Sequence, residues 1–193
     1  MDQLSGRSRV LVEEEDDQAL LAGIRRGDRA AFKALVERYQ GPLYNAAFRI
    51  VGNSGDAEDV TQVVFLKIVE RLDEYDPKYK FFSWIYRIAV NEALNLLRRD
   101  RRDEPLDDDV EFEGPETLNP ERQLSDMQVS SHVQAALMRL KPDERAVLTL
   151  RHFSECSYAE IGDILGLEEK TVKSRLFEAR GRLKGHLAAW RGN

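Results

Sequence analysis

Between residues 103 and 126 the chain carries ten acids and one base, together with Pro105, Gly114, Pro115 and Pro120 and few large apolar side chains. Such a stretch buries too little apolar surface to offset the entropy of ordering it. The composition therefore predicts an acidic, flexible linker over 103–128. That linker limits what can fold on either side: one unit at 18–102 and a second at 129–193. Each is small, so each is predicted to be a compact helical bundle, and the fold class is all-α with two helical domains. Residues 1–17 hold six acids and two bases and read as an acidic, disordered extension.

The apolar pattern supports helices throughout. Phe32, Leu35, Val36 and Tyr39 recur at i, i+3, i+4, i+7, and Tyr44, Ala47, Phe48 and Val51 repeat the pattern after Gly41-Pro42, where a break is expected. Val60, Val64, Ile68 and Leu72 mark a third helix, opened by Asp56, Glu58 and Asp59 at the positive end of its dipole. A fourth runs from Phe82 to about Arg101, with Ile85, Ile88, Ala89 and Leu96 on one side. In the second unit Val133, Ala136, Leu137 and Leu140 share a face, and Pro142 suits the first position of the helix that follows. No segment alternates as a strand should, and no glycine-rich phosphate loop occurs.

Charge is unevenly placed. The formal net charge is −6. Yet residues 78–102 hold seven bases and two acids, and residues 170–193 hold seven bases and one acid. Basic segments of this kind are either solvated helix faces or phosphate-binding surfaces. The single cysteine, Cys156, allows no internal disulfide and reads as a structural thiol, and three scattered histidines make no metal site. No metal or cofactor is expected. No run approaches the ~20 apolar residues of a membrane-spanning helix, and the N-terminus lacks the pattern of a secretory signal, so a cytoplasmic location is expected.

The most informative segment is 157–187. Ser157-Tyr158-Ala159-Glu160 has the form of a capping box, and the short helix it opens ends at Gly166, with Leu167 beneath the turn. A longer helix follows with Val172, Leu176, Leu183 and Leu187 as its seam and Lys173, Ser174, Phe177, Glu178 and Arg180 on other faces. A helical hairpin would have this outline, but a base-rich second helix is what a helix-turn-helix needs to lie in the major groove. Glu168, Glu169 and Glu178 place carboxylates near phosphates or base edges, and Glu178 could accept from a cytosine amino group.

Residues 75–84, YDPKYKFFSW, hold five aromatics interleaved with two lysines. Unpaired nucleic acid uses aromatic faces to stack bases and cations to follow phosphates, each stacked base being worth about 1–3 kcal/mol. Phe82 and Ile85 sit at helical spacing and read as core. Asn91 lies amid apolar residues, where its amide needs a base edge or a buried hydrogen bond.

The ordered set of motifs resembles the extracytoplasmic-function (ECF) sigma factors, the small two-domain group of bacterial RNA polymerase sigma factors. Residues 56–72, DAEDVTQVVFLKIVERL, resemble the family helix that docks on the clamp helices of the largest subunit of core polymerase. Residues 81–99, FFSWIYRIAVNEALNLLRR, resemble the segment that melts and reads the −10 element. Residues 157–180, SYAEIGDILGLEEKTVKSRLFEAR, resemble the −35 helix-turn-helix.

The resemblance implies that Asp59, Gln62 and Phe65 face core polymerase. Lys78, Tyr79, Lys80, Phe81, Ser83, Trp84, Arg87, Asn91 and Arg98 would contact the single-stranded −10 element. Thr171, Lys173, Ser174, Arg175, Phe177, Glu178 and Arg180 would meet the −35 duplex. It further implies no catalytic activity, a monomer when free, and control by an anti-sigma factor, which could hold the protein at the membrane if itself membrane-bound. Three positions depart from the family pattern: Val63 where an acid is frequent, Glu168 in place of a small N-cap, and Glu178 where a base is frequent. A stand-alone helix-turn-helix regulator is the rival reading. It accounts for 157–187 but not for the aromatic segment or the clamp-like helix.

Overall fold

The computed structural model describes residues 16–103 and 123–191. Eight α-helices and one 3-10 turn make up the described residues, and no strand is among them. Helix α1 spans 16–25. It is followed by α2 (Arg29–Val51), α3 (Ser54–Arg71), a 3-10 turn (Leu72–Glu74) and α4 (Phe81–Asp103). The second half contains α5 (Gln123–Met138), α6 (Pro142–His152), α7 (Tyr158–Leu165) and α8 (Glu169–Arg191). The all-α expectation holds. The acidic extension and most of the predicted linker lie outside the described residues, but α1 takes in Asp16 and Asp17, and the backbone of 123–128 is already helical.

Asp17 is not part of a loose tail. It is buried, accepting from Tyr39 Oη at 2.5 Å and from Arg38 Nη1 at 2.8 Å, so a charged pair and a phenol fasten α1 to α2. Gly27, at φ 79°, turns the chain, and Asp28 caps α2 by accepting from the amides of Ala30 and Ala31.

The expected break at Gly41-Pro42 does not occur, and α2 runs unbroken through Pro42. An interior proline costs about 3 kcal/mol. Leu35, Tyr39, Leu43, Ala46, Ala47 and Ile50 stay buried and in phase across it. Each large apolar side chain buried there contributes about 1.5–3 kcal/mol, so the continuous stripe outweighs the proline. The helix ends at Gly52, left-handed at φ 88°, and Asn53 caps α3 by accepting from Asp56 N.

Helices α2, α3 and α4 pack around one another, and α5, α6 and α7 pack with α8. The two halves also pack together, α2 against α5 and α6 and α4 against α7, and one cluster of buried apolar side chains runs through both. Side chains from the second half reach the C-terminal carbonyls of α2. Gln134 Nε2 donates to Phe48 O at 3.0 Å, and the buried Arg145 donates through Nη1 to Ile50 O at 2.6 Å. Nearby, a Cβ on Gly52 would collide with Met138 Sδ.

Replacing Asp17 with Ala should lower the unfolding free energy by about 2 kcal/mol, because it removes a buried acceptor shared by Arg38 and Tyr39. Urea unfolding followed by circular dichroism measures this, and an unchanged midpoint would contradict the anchoring role.

Candidate nucleic-acid interface

The helix-turn-helix forms as its sequence predicts. Ser157 Oγ accepts from Glu160 N at 3.2 Å, and Glu160 Oε2 accepts from Ser157 N at 2.8 Å, which closes the capping box. Gly166 is left-handed at φ 66°, and Leu167 N donates to Gly162 O at 2.9 Å. Gly162 carries a constraint that the sequence reading missed: a Cβ there would lie 2.7 Å from the Leu167 carbonyl oxygen, so the turn closes tightly only over glycine.

On α8, Val172, Leu176 and Ala179 are buried, and Leu183 and Leu187 are half-buried. Lys173, Ser174, Arg175, Phe177, Glu178 and Arg180 are exposed and Thr171 is half-buried, so all but one of the predicted −35 residues form one open face. Phe177 is 81 % exposed at its centre. Lys173 pairs with Glu169 at 3.4 Å and lies 5.5 Å from the centre of the Tyr158 ring. Arg180 Nε donates to His152 Nε2 at 3.1 Å. Burial lowers the His152 pKa, and the charges of Arg180 and Arg151 lower it further, which favours the neutral acceptor form.

The aromatic segment divides into core and surface. Phe81 and Tyr75 are buried, with ring centres 5.6 Å apart, and Tyr39 lies 5.8 Å from Phe81. Ser83 is buried too, and its hydroxyl makes no hydrogen bond. Phe81 and Ser83, expected at the −10 strand, therefore sit inside the bundle: Phe81 faces Tyr39 of α2, and α4 is covered on other sides by α3, α6 and α7. Trp84 is half-buried, tilted against Phe81 and Tyr75. Lys78, Tyr79, Lys80, Arg87, Asn91 and Arg98 are exposed. Asn91 is thus not amid apolar neighbours but on the open face of α4. The Asp76 side chain accepts from Lys78 N at 3.0 Å; that bond, with the Lys78 charge, holds the carboxyl below its ordinary pKa and shapes the loop.

Asp59 and Gln62 are exposed on α3. Phe65 is not; it is buried edge-on against Phe32 at 6.4 Å. The exposed apolar side chains of that helix are Leu66, at 62 %, and Val69, at 54 %. Periodicity places them one position off the buried stripe, where an outward apolar pair could have been noticed.

The aromatic-basic segment touches the second half at α7. Lys80 Nζ lies 3.1 Å from Glu160 Oε1, and Arg87 donates from Nε to Asp163 O at 2.9 Å and from Nη2 to the same oxygen.

The sigma-70 region 2 family matches residues 35–103, and the sigma-70 region 4 family matches residues 132–183. The RNA polymerase sigma-H factor of Pseudomonas aeruginosa is 36% identical over 181 residues, 88% of this chain and 93% of that protein. The ECF RNA polymerase sigma-E factor of Escherichia coli is 36% identical over 177 residues, 87% of this chain and 92% of that protein. The chain belongs to the ECF sigma factors. Its fold is similar to that of CnrH, solved in complex with the cytosolic domain of CnrY, with a TM-score of 0.69 at 28% identity over 90% of this chain and 98% of that one. Sigma factors are initiation factors rather than enzymes, and the stand-alone regulator reading is not favoured, since both regions are matched in order. No helix among the described residues is long and apolar enough to cross a membrane.

Two measurements probe this region of the sigma factor. Gly162→Ala should cost about 1–3 kcal/mol by overpacking the turn, read from the denaturation midpoint; a neutral substitution would contradict the close approach. Burial, reinforced by the Glu160 charge, pushes the Cys156 thiol up to about 12. Cys156 should therefore resist a thiol-specific chromogenic reagent at pH 8 in the native protein and react fully in denaturant. Rapid native labelling would show that the thiol is open.

Proposed function

We propose that this sigma factor uses three separate surfaces. The exposed face of α3, with Asp59 and Gln62 beside Leu66 and Val69, docks on the clamp helices of core polymerase. The loop and outer face of α4, with Lys78, Tyr79, Lys80, Trp84, Arg87, Asn91 and Arg98, takes the single-stranded −10 element. The open face of α8, from Thr171 to Arg180, meets the −35 duplex. The division into a −10 unit at 18–102 and a −35 unit at 129–193 follows from the same assignment. The observation that carries it is the pairing, in one chain, of an exposed aromatic-basic loop with a recognition helix whose basic face stays open around Phe177.

The protein acts in the cytoplasm as a monomer when free. An anti-sigma factor controls it, and a membrane-bound one would hold it at the membrane; the similar CnrH is itself in complex with the cytosolic domain of CnrY. Leu66, Val69 and Phe177 give such a partner apolar footing.

Transcription reconstituted with core polymerase and a library of genomic upstream fragments tests the reading. Discrete starts sharing spaced −35 and −10 elements are expected, and bound polymerase that yields no discrete starts would refute it. On a promoter so found, Arg175→Ala should weaken holoenzyme binding across −35 variants and reduce the log–log salt slope by about 1. Phe177→Ala should instead change the ranking of those variants. Fluorescence anisotropy distinguishes the two, and identical effects would contradict the assigned roles.

A further inference from the structure

We propose that His152, at the end of α6, is a positioning residue for the −35 contact. Its imidazole holds the Arg180 guanidinium in one direction on the open face of α8, as a neutral acceptor that leaves the charge of Arg180 undiminished for the duplex. This inference rests on the assignment of Arg180 to that duplex.

Arg180 Nε donates to His152 Nε2 at 3.1 Å. A guanidinium keeps its protons, so Nε2 presents a lone pair and Nδ1 carries the ring hydrogen. With Nε engaged, the two terminal nitrogens of the fork remain to meet a pair of phosphate oxygens. Lys173, on the same face, is held differently. It pairs with the Glu169 carboxylate at 3.4 Å, which offsets its charge. A neutral ring fixes direction without that offset. A long side chain loses rotamer freedom on meeting DNA, and a contact made beforehand removes part of that cost.

The holder is itself fixed. Arg145 to Leu150 of α6 are all buried, and Phe153, next along the chain from His152, lies under the Arg49 guanidinium of α2. Ala179, beside Arg180, is buried in the same core. The charges acting on His152 are both positive, Arg180 from α8 and Arg151 from its own helix. Other titratable groups on the elements packed against α6 are engaged elsewhere. Arg49 of α2 lies on the Phe153 ring, and Tyr86 of α4 is hydrogen-bonded to Ser154. Glu160 of α7 holds Ser157 N and Lys80, and Arg182 of α8 pairs with Glu144. As the pH falls through the imidazole range, Nε2 takes a proton, ceases to accept, and sets a second positive charge against Arg180, so the pair parts.

The test uses holoenzyme on a promoter carrying its −35 element, followed by fluorescence anisotropy. His152→Ala should bind about fivefold more weakly, the size of one modest hydrogen bond. His152→Gln, whose amide oxygen also accepts, should bind as wild type. Lowering the pH from about 8 to about 5.5 should weaken wild type relative to His152→Gln, since the imidazole titrates there and the amide does not. In an Arg180→Ala background, His152→Ala should have no further effect. In the free full chain, the nuclear magnetic resonance titration of His152 should shift upward when Arg180→Ala is introduced.

An unmoved His152 titration would show that the pair does not form and would overturn the proposal. A full His152→Ala effect in the Arg180→Ala background would do the same, since it would mark a merely structural role. So would a His152→Gln variant as weak as His152→Ala, or tighter wild-type binding at low pH, which would mean that the ring meets phosphate itself. A weakened Arg180→Ala beside an unaffected His152→Ala would refute the positioning alone. An Arg180→Ala variant that binds as tightly as wild type would refute the assignment of Arg180 to the duplex as well.

Discussion

The carbonyls at the C-terminal end of α2 need donors that the end of a helix does not itself supply. Gly52 N donates to Phe48 O, and two side chains from the second half add donors, Gln134 to Phe48 O and Arg145 to Ile50 O. A buried guanidinium is costly unless its N–H groups find acceptors and negative potential, and the end of a 23-residue helix provides both. The position of the second half follows from this. With Arg145 seated, Met138 lies against Gly52, which has room for it because it lacks a Cβ, and Arg49 lies 4.0 Å from the centre of the Phe153 ring. The α4–α7 contact forms part of the same seam, so the anchoring of α2 also bears on how α7 meets α4.

Local signals in the sequence were legible where a local rule decides the outcome. Ser157 with Glu160, Gly166 after α7, and Pro142 at the start of α6 are each recognisable because a cap or a turn depends on a few adjacent residues. The open face of α8 follows from 3.6-residue periodicity alone. Pro42 failed as a breaker because its cost is local, whereas the apolar stripe that outweighs it spans four turns. Ile85 read correctly as core, and Phe82 is half-buried, stacked on Tyr86 at 4.2 Å.

Composition could not divide the aromatic segment. Five rings in ten positions suit stacking on bases, but three adjacent helices also need rings to fill the space between them. Phe81 went to the core because its position faces α2, Tyr75 because it packs on Phe81, and Tyr79 stayed outside in the loop shaped by Asp76. Phe65 went to the core for the same reason. Its place on the resembled helix said which surface the helix serves, not which of its side chains points outward. The seam was not legible at all, since no local pattern says that Arg145 meets Ile50 or that Glu160 has a second oxygen to spare.

The energies at the two ends of the seam differ in kind. Around Arg145 the groups are buried, and parting them exposes apolar surface and strips hydrogen bonds from a guanidinium, each of which costs kcal/mol. Around Lys80 and Arg87 the groups are exposed, and water can replace the lost partners at little cost. The contact between the halves is therefore graded, from buried groups whose parting is costly at one end to exposed ion pairs and hydrogen bonds at the other.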